Sequence, residues 1–447
     1  MISERSYEPA ELPDLETPEP QSAPTEVPVQ WGAGRRLLFR FLCSYFFVYI
    51  FPFPLDFILF ATPAPGQAYQ NLWTAIVTWV GSHVFNVQIT VQPNGSGDTT
   101  YNYVQLFCYV VFAALAALVW TLLDRKRAHY ARLEPWLRVY VRFSLAAAMV
   151  TYGGFKIIPA QFPAPTLDRL LQPFGDASPM GLLWTFMGAS KPYEIFSGAA
   201  EMLAGLLLLT RRTATLGALV AIAVLTNIVM LNFCYDVPVK LYSSNLLLMA
   251  IFLVLPELRR LADVFVFNRP VQPVAHARLF RRVWLHRSAL VFRTALILFI
   301  AGFNMYGAYK SQFVTKSQLN GIWNVETFEV DGQARPALVS DQHRWWHVVF
   351  DDPAPTISLF AVQLMNQSRQ RYVLTMDPKK SSLALTKRDD PKWKSTLTYQ
   401  QLGPDLLALQ GTIDGQKIRA RIHRVATSRF RLIDRGFHWI NEYPFNK

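Results

Sequence analysis

Seven stretches of this 447-residue chain are apolar over roughly the length that a helix needs to cross a bilayer. A crossing helix needs about 20 mostly apolar residues, because the hydrocarbon core is about 30 Å thick. The stretches are 37–60, 102–123, 137–160, 194–210, 213–235, 240–258 and 290–309. Charged residues make up 17% of the chain, which is low for a soluble protein. The pattern predicts a polytopic α-helical membrane bundle rather than a soluble protein with a large buried core.

Lys and Arg residues cluster in alternate connections between these stretches. The basic clusters lie at 35–40, 125–138, 211–212 and 259–293. The intervening connections 61–101, 161–193 and 236–240 carry few or none. Basic connections stay cytoplasmic, so the chain is predicted to have seven spans, a cytoplasmic N-terminus and an exterior C-terminus in the cell (inner) membrane. The net charge of +13 is accounted for by this topology. Nucleic-acid binding would need a basic groove with interleaved aromatic residues, and the sequence shows no such pattern.

The connections themselves differ in character. Residues 1–34 are rich in Pro and Glu and are predicted to form a disordered cytoplasmic tail before a transmembrane domain at 35–310. The stretch near 70–86 is predicted to form an interfacial amphipathic helix, since counting it as a span would invert the charge asymmetry. Cys43, Cys108 and Cys234 form no C-x-x-C pair. Free cysteines are expected, with pairing of Cys108 and Cys234 as the alternative.

Residues 316–447 alternate apolar and polar side chains, and turn sequences such as "VDGQ" and "TIDGQK" interrupt them. The predicted strands are 322–330, 344–350, 356–362, 370–376, 382–388, 394–400, 405–410, 416–423 and 428–433. This predicts an extracytoplasmic antiparallel β-barrel or sandwich with up-and-down order. "NGIWNV", with Gly321 and Trp323, resembles the start of lipocalin-like barrels. Such a cup either holds a small apolar ligand or is filled by side chains. His343 and His347 of "HRWWH" are expected to share a strand face as ordinary barrel residues, not metal ligands.

Two charged residues fall inside predicted spans. Glu201 lies about ten residues from each end of its span, near the bilayer midplane. Intramembrane charges usually face a bundle interior or a wet cavity and have a function. Lys156 is predicted to turn toward Glu201, with Tyr152 one helical turn earlier on a similar face. The alternatives are a neutral Glu201 in a hydrogen bond and a Lys156 that extends outward to the interface.

Polar residues surround "VMLNFCYDVPVKLYSSNLLLM" at 229–249, where two apolar runs meet. Pro238 predicts a turn at the outer edge. The candidate ligand-binding residues there are Asn227, Asn232, Asp236, Lys240 and Asn245. Together with Tyr152 they predict an outward-opening polar funnel, with Glu201 at its floor and Lys156, Asp236 and Lys240 at its rim. The alternative is helix-to-helix hydrogen bonding without a cavity.

The stretch "RFSLAAAMVTYGGFKIIP" and the later "GAAEMLAGLLLL" resemble the DoxX family of four-helix membrane proteins over about 136–258. Arg142, Gly153, Gly154 and Lys156 match the first part of its pattern. Glu201, Gly205 and Leu206–Leu209 match the second part. The resemblance implies a quinone-linked or thiol-linked redox role known for some members, and many members have no assigned chemistry. The sequence itself carries no C-x-x-C, haem-type ligand pair or nucleotide motif.

Two functions follow as hypotheses. In the first, an amphiphile, either a quinone or a lipid, binds in the membrane. Lys156, Tyr152 and Asn227 donate hydrogen bonds, and Glu201 and Lys156 are the candidate catalytic residues. Its cofactor would be a quinone, and a partner membrane protein is expected. In the second, the chain is a non-catalytic assembly, transport or lipid-binding scaffold whose exterior barrel captures a lipid or a protein.

Overall fold

The computed structural model describes residues 30–55, 64–91, 95–272, 282–313, 315–354 and 357–446. Most of the predicted cytoplasmic tail, and the end of the first predicted span, lie outside these residues. Among these residues, the α-helices of eight residues or more are α1 (Ala33–Ile50), α2 (Ala64–His83), α3 (Thr100–Leu123), α4 (Glu134–Ile157), α5 (Pro179–Ala189), α6 (Lys191–Leu209), α7 (Ala214–Cys234), α8 (Lys240–Val254), α9 (Leu258–Phe265) and α10 (Val283–Ser311).

Within the described ranges, five helical segments are long and apolar enough to cross a membrane. They are Thr100–Leu123, Lys191–Leu209, Ala214–Cys234, Lys240–Phe265 and Val283–Ser311. They support the prediction of a membrane protein. The first and third predicted spans also form helices, α1 and α4, but these carry several charges and fall outside that set. Arg40 of α1 and Arg142 and Lys156 of α4 are nevertheless buried. The count of seven spans stays a prediction.

The helices α4 and α6 cross with almost no space between their backbones, and glycines make this possible. A Cβ atom added to Gly153 would lie 2.7 Å from the carbonyl oxygen of Gly198. A Cβ atom added to Gly205 would lie 3.0 Å from the backbone nitrogen of Val150. Small residues at a helix contact bring backbones together where lipid offers no hydrophobic driving force. The small residues near Glu201 therefore admit a neighbouring helix at close range.

The helix α2 packs its apolar face on α3. Val77 is fully buried, and the rings of Trp73 and Tyr109 meet edge to face with centroids 4.5 Å apart. The predicted helix near 70–86 is thus present, although it begins earlier, at Ala64. Its position at the membrane interface stays a prediction. Cys43, Cys108 and Cys234 are free, which confirms the expected unpaired state and rules out the Cys108–Cys234 alternative in this structure.

The C-terminal part is a closed antiparallel barrel. Its strands are β1 (Gly321–Val330), β2 (Gln333–Ala334), β3 (Trp345–Ala354), β4 (Ile357–Leu364), β5 (Arg369–Asp377), β6 (Ser382–Thr386), β7 (Lys394–Gly403), β8 (Leu406–Ile413) and β9 (Gln416–Val425). The strands from β3 to β9 pair in sequence order, and β1 pairs with both β3 and β9, so eight strands close the barrel while β2 pairs only with β1. The predicted up-and-down barrel is confirmed, and the sandwich alternative is wrong.

Two hairpins show how Asp-Gly turns mark the ends of the predicted strands. Asp414 and Gly415 both have positive φ, 49° and 82°, between the paired residues Ile413 and Gln416. This is the two-residue Asp-Gly turn whose twist matches that of the flanking strands. Asp331 and Gly332 make the equivalent turn between β1 and β2. The strand predictions from 322–330 to 416–423 each overlap an observed strand.

Two predictions in this region are wrong. The segment 428–433 is not a strand but a 3₁₀ turn, Thr427–Arg429, followed by the short helix Arg431–Asp434. The barrel is already closed by β1 and β9, so no strand edge is left for it to extend. His343 lies in the bend before β3, whereas His347 lies in the strand and bonds Gln363 at 3.0 Å. The two histidines therefore do not share a strand face.

The connection between α4 and α5 docks on the outside of the barrel. Its short helix Leu167–Leu170 packs apolar side chains against Val349 and Ala361. The backbone N–H of Leu167 donates to Asp351 Oδ2 at 3.1 Å. Asp168 forms ion pairs with Arg369 and Arg371 at 3.4 and 2.7 Å. This connection physically joins the helical region to the barrel.

Candidate functional site

A buried ion pair joins α4 to α6. Lys156 Nζ, in the last turn of α4, donates to Glu201 Oε1 at the middle of α6. The two side chains are 7% and 2% exposed, so both charges are withdrawn from solvent. Gly198, one turn before Glu201, makes this contact possible: a Cβ atom there would lie 2.6 Å from Lys156 Cβ. The close helix crossing thus places the lysine stem over α6 and its ammonium group against the carboxylate.

The pair lies at the wall of a cavity of about 230 Å³. Most of the wall is apolar. These side chains include Met149, Met180, Leu183, Trp184, Met187, Leu225, Ile228, Leu231 and Leu246. The polar side chains are Tyr152, Lys156, Gln161, Tyr193, Ser197, Glu201, Asn227, Asn232, Tyr242 and Ser243. The cavity is thus a mostly apolar chamber with a few convergent polar groups, which is the usual composition of a small-molecule site.

The connection from α4 to α6 forms one side of this cavity. Phe162 and the α5 residues Leu183 and Trp184 line it, with the rings of Phe162 and Trp184 5.1 Å apart. The turn between α7 and α8 contributes Val237, Pro238 and Val239. Lys156 lies in the last turn of α4, and these elements line the same cavity as Lys156. The cavity therefore extends from mid-helix Glu201 toward the helix ends where the barrel-docked connection lies.

The predicted ligand-binding residues divide into two groups. Tyr152, Asn227 and Asn232 line the cavity with the ion pair, and Asn232 also donates to Ser243 Oγ at 2.9 Å. Asn245 faces elsewhere, because it accepts from the Tyr45 hydroxyl of α1 and donates to the Leu241 carbonyl at 2.8 Å. It lines a neighbouring cavity of about 430 Å³ together with Tyr49 and Tyr109, and this cavity shares Tyr152 and Tyr242 with the first but not Lys156 or Glu201. The structure therefore separates Asn245 from the pair.

Asp236 and Lys240 do not form the predicted rim. Lys240 Nζ lies 2.9 Å from Asp236 and 3.8 Å from Asp98, and neither Asp236 nor Lys240 lines the cavity. Asp98 accepts hydrogen bonds from the backbone N–H groups of Lys240 and Leu241 at 2.7 and 3.0 Å. It satisfies the first donors of α8, as an acidic residue at a helix start does. The rim prediction is corrected to an ion pair that fixes this turn.

Sequence reasoning missed Glu194 and Gln161. Glu194 is fully buried, seven residues before Glu201 on the same face of α6. Its Oε1 accepts from the Phe162 N–H at 2.9 Å, whereas its Oε2 has no hydrogen-bond partner among the described residues. Gln161 Oε1, in the cavity wall, is likewise buried without a partner there. The seven-residue spacing of the two glutamates is the signal that could have revealed Glu194.

The remaining chemistry of the site follows from its donors and acceptors. Lys156, Tyr152 and Asn227 offer hydrogen-bond donors, and Glu201 and Gln161 offer acceptors, around one apolar space. Among the described residues, no group of three or more His, Cys, Asp or Glu side chains is arranged to hold a metal ion. The arrangement is suited to binding a molecule with a polar head and an apolar body.

Comparison with known proteins yields one relative with a long shared stretch. The chain is 36% identical over 126 residues to the uncharacterized protein YwoB of Bacillus subtilis (strain 168). That stretch is 28% of this chain and 79% of the relative. No family model matches the chain, and no solved structure matches it. The name of the relative specifies no activity, so the function has to be argued from the cavity.

Proposed function

We propose that this chain, which belongs to the same family as the uncharacterized protein YwoB of Bacillus subtilis, binds the polar head of a membrane amphiphile beside Lys156 and Glu201. The family relation covers the 126-residue stretch alone and brings no substrate with it. The proposal therefore rests on the site.

The observation that carries the proposal is the buried ion pair in a mostly apolar cavity. Removing two charges from water costs several kcal/mol per ion, which their attraction seldom repays in full. A pair that only joined two helices could be replaced by apolar side chains at little or no loss of stability. The pair lies in the wall of a 230 Å³ cavity, so a ligand bound there can form hydrogen bonds with both Lys156 and Glu201. Ligand binding therefore explains the buried pair better than a purely structural role does.

A quinone is the ligand class that fits these groups most fully. Its carbonyl oxygens accept hydrogen bonds, and Lys156 and Tyr152 supply donors within one cavity. Its apolar tail would lie along Leu183, Trp184 and Met187. A quinone-linked redox subunit, the role that the DoxX resemblance implies, would also need a partner membrane protein to exchange electrons. The proposal here is limited to binding and to a proton-bearing role for Glu201.

Quinone binding is tested on purified full-length protein in nanodiscs by titration calorimetry with a short-chain quinone. We expect saturable binding in the wild type and a loss of about tenfold or more in Glu201→Gln and Lys156→Met, equal to about 1.4 kcal/mol per tenfold. The control variant is Glu257→Gln, whose carboxylate lies outside the cavity. Unchanged affinity in both cavity variants would remove the ion pair from the site. Binding of a phospholipid but not of the quinone would make lipid the ligand.

The second candidate is a non-catalytic scaffold whose barrel captures a lipid or a protein. The barrel interior favours protein over lipid, because side chains such as Trp323, Phe350, Phe360 and Tyr372 fill it. A captured partner would have to bind outside, where the C-terminal segment exposes Phe437, Trp439 and Tyr443. A quinone that copurifies with the protein favours the first candidate. Its absence, together with a copurifying protein lost on deletion of 436–447, favours the second.

The topology proposed for this activity has a cytoplasmic N-terminus and an exterior barrel in the cell membrane, supported by the basic residues at 125–138. Single cysteines introduced by Thr90→Cys and Arg127→Cys, in a background without the three native cysteines, test it. We expect an impermeant thiol reagent applied to intact cells to label position 90 only. Labelling of both positions would contradict this topology.

A further inference from the structure

Arg142, two turns into α4, Arg293, three turns into α10, and Arg211, just after α6, lie near one another away from the cavity. Arg142 and Arg293 hold their guanidinium carbons 4.9 and 4.8 Å from the ring centroid of Phe143. Arg211, just after α6, is near enough for its charge to repel both. Arg142 precedes Lys156 by 14 residues of continuous helix, a rise of about 21 Å. The cluster is therefore separate from the ion pair.

Two of these arginines have hydrogen-bonding capacity that the described residues leave unused. Arg142 is 6% exposed, and its Nε and Nη2 atoms are buried without a hydrogen-bond partner. Arg293 Nε is also buried without a partner. A guanidinium group keeps its charge in proteins, so it cannot escape this cost by losing a proton. Buried charges need a counter-charge or hydrogen bonds, and here like charges gather instead.

We infer that Arg142 and Arg293, with Arg211 beside them, form a binding site for a phosphate group. Phosphate oxygens accept paired N–H donors from a guanidinium group, and this charge-assisted geometry is among the strongest in proteins. A phosphate would satisfy the open donors of Arg142 and Arg293 and reduce the repulsion among the three charges. Two sources carry this chemistry: the head group of an anionic phospholipid and free inorganic phosphate.

The predicted topology favours the lipid source. Arg211 belongs to one of the basic clusters assigned to the cytoplasmic side. Basic pockets between helices on that side suit anionic head groups, and the anionic lipids of the cytoplasmic leaflet are attracted there. The site is independent of the proposed amphiphile cavity, so failure of one proposal leaves the other standing.

The test compares thermal unfolding of the full chain in three settings. They are nanodiscs of phosphatidylcholine in chloride buffer, the same nanodiscs with inorganic phosphate, and nanodiscs containing phosphatidylglycerol at equal ionic strength. We expect phosphatidylglycerol to raise the Tm of the wild type, and native mass spectrometry to find that lipid retained. A rise with inorganic phosphate alone supports the site with the free anion as its ligand. No rise in either setting overturns the proposal.

Variants separate a specific site from general charge attraction. Arg142→Gln removes a buried cation whose Nε and Nη2 atoms have no hydrogen-bond partner, so in phosphatidylcholine we expect its Tm to equal or exceed that of the wild type. The rise in Tm that the anion gives the wild type should disappear in Arg142→Gln. Arg293→Gln should weaken anion binding about tenfold, equal to about 1.4 kcal/mol. The matched control is Arg259→Gln, an exposed arginine of α9. An undiminished anion effect in both cluster variants, or an equal loss in the control, contradicts the inference.

Discussion

The barrel and the helical region differ in how completely their buried charged side chains are satisfied. In the barrel, Arg344 donates to the Arg335 and Trp345 carbonyls at 3.0 and 2.9 Å, and Asp352 accepts from Ser317 and Ser358. Its interior proper is apolar and full. In the helical region, Arg142, Gln161 and Glu194 each bury at least one polar atom without a partner among the described residues. The barrel region has such atoms too, Ser317 Oγ, Asn320 Nδ2 and Arg424 Nε, but none of them lines the cavity.

The difference lies in where the unsatisfied atoms are: in the helical region they include Gln161 Oε1 in the cavity wall and the donors of the arginine cluster, whereas in the barrel region they lie away from the cavity. A buried polar atom left unsatisfied costs about 1–3 kcal/mol, so its presence needs a reason. The buried charged side chains of the barrel bond groups of the barrel itself or of the docked connection, as when the Leu167 N–H donates to Asp351. The helical region leaves donors and acceptors open beside its cavity and in its arginine cluster. This contrast is why we assign ligand binding to the helices and a structural role to the barrel interior.

The largest expected effect comes from breaking the buried ion pair of Lys156 and Glu201. Lys156→Met leaves Glu201 buried without its partner, which in buried settings costs about 3–5 kcal/mol of unfolding free energy. The double variant Lys156→Met, Glu201→Leu should recover most of that loss while abolishing ligand binding. Chemical unfolding in detergent measures both. If Lys156→Met is as stable as the wild type, the pair does not hold the helices together.

Glu201→Gln and Glu201→Leu sharpen the same point. If Glu201 is neutral and makes only a structural hydrogen bond, Glu201→Gln should leave stability and activity nearly unchanged, whereas Glu201→Leu should lower stability. A proton-bearing or charge-binding role predicts that Gln abolishes activity while the protein still inserts and stays monodisperse. Retained function in Glu201→Leu would exclude Glu201 from the site.

A comparable loss is expected in the barrel for a purely apolar reason. Phe360 is fully buried among Phe350, Trp345 and Tyr372, so Phe360→Ala should cost about 3–5 kcal/mol. Residues 316–447 expressed alone should give a β-type circular dichroism spectrum and a cooperative melt, with the same loss in the variant. A random-coil spectrum of the fragment would show that the barrel depends on the helices.

A smaller effect concerns the helix crossing. Gly198→Ala places a methyl group 2.6 Å from the Gly153 carbonyl and from Lys156 Cβ, so α4 and α6 must move apart. We expect a loss of about 1–3 kcal/mol and weaker ligand binding, because the ion pair is displaced. Gly175→Ala is the control, since a Cβ atom there meets nothing within 4 Å. Equal stability of the two variants would show that the crossing tolerates separation.

The smallest effect is the acid sensitivity of the barrel. Burial raises the pKa of Asp352, but hydrogen bonds from Ser358 and Ser317 outweigh it and leave the pKa below its ordinary value of 3.8. A carboxylate with a depressed folded pKa stabilises the fold above its unfolded pKa, and that stability is lost as pH falls through the folded pKa. Melts of the isolated barrel from pH 6 down to pH 3 should show this loss, and Asp352→Asn should show a smaller one. Identical pH profiles would contradict this role.

Much of the architecture was readable from the sequence because it depends on local pattern. Alternating side chains and Asp-Gly turns predicted the strands from 322–330 to 416–423, since period-two alternation fits a strand with one buried face. Apolar windows predicted the helices for a similar reason. The contact between Lys156 and Glu201 is predicted from their depths in two helices, and the structure brings the two side chains together.

What pattern could not show is how distant segments meet. Nothing in the sequence around Asp98 points to its partners, which are the first N–H groups of α8, 142 and 143 residues further on. The connection from α4 to α5 reads as an ordinary loop, but its Leu167 and Asp168 are held by the barrel about 200 residues later.

The sequence by itself determined which segments are helices, which are strands and where charges lie along each. Only the tertiary structure decided that Asn245 faces α1 rather than Glu201, and that Arg142 and Arg293 meet at one aromatic ring. The physical reason is that helical and strand periods are set by neighbours three or four and two residues away. The rotation and crossing of packed helices depend instead on small residues that come together only in the folded chain, as Gly153 and Gly198 do.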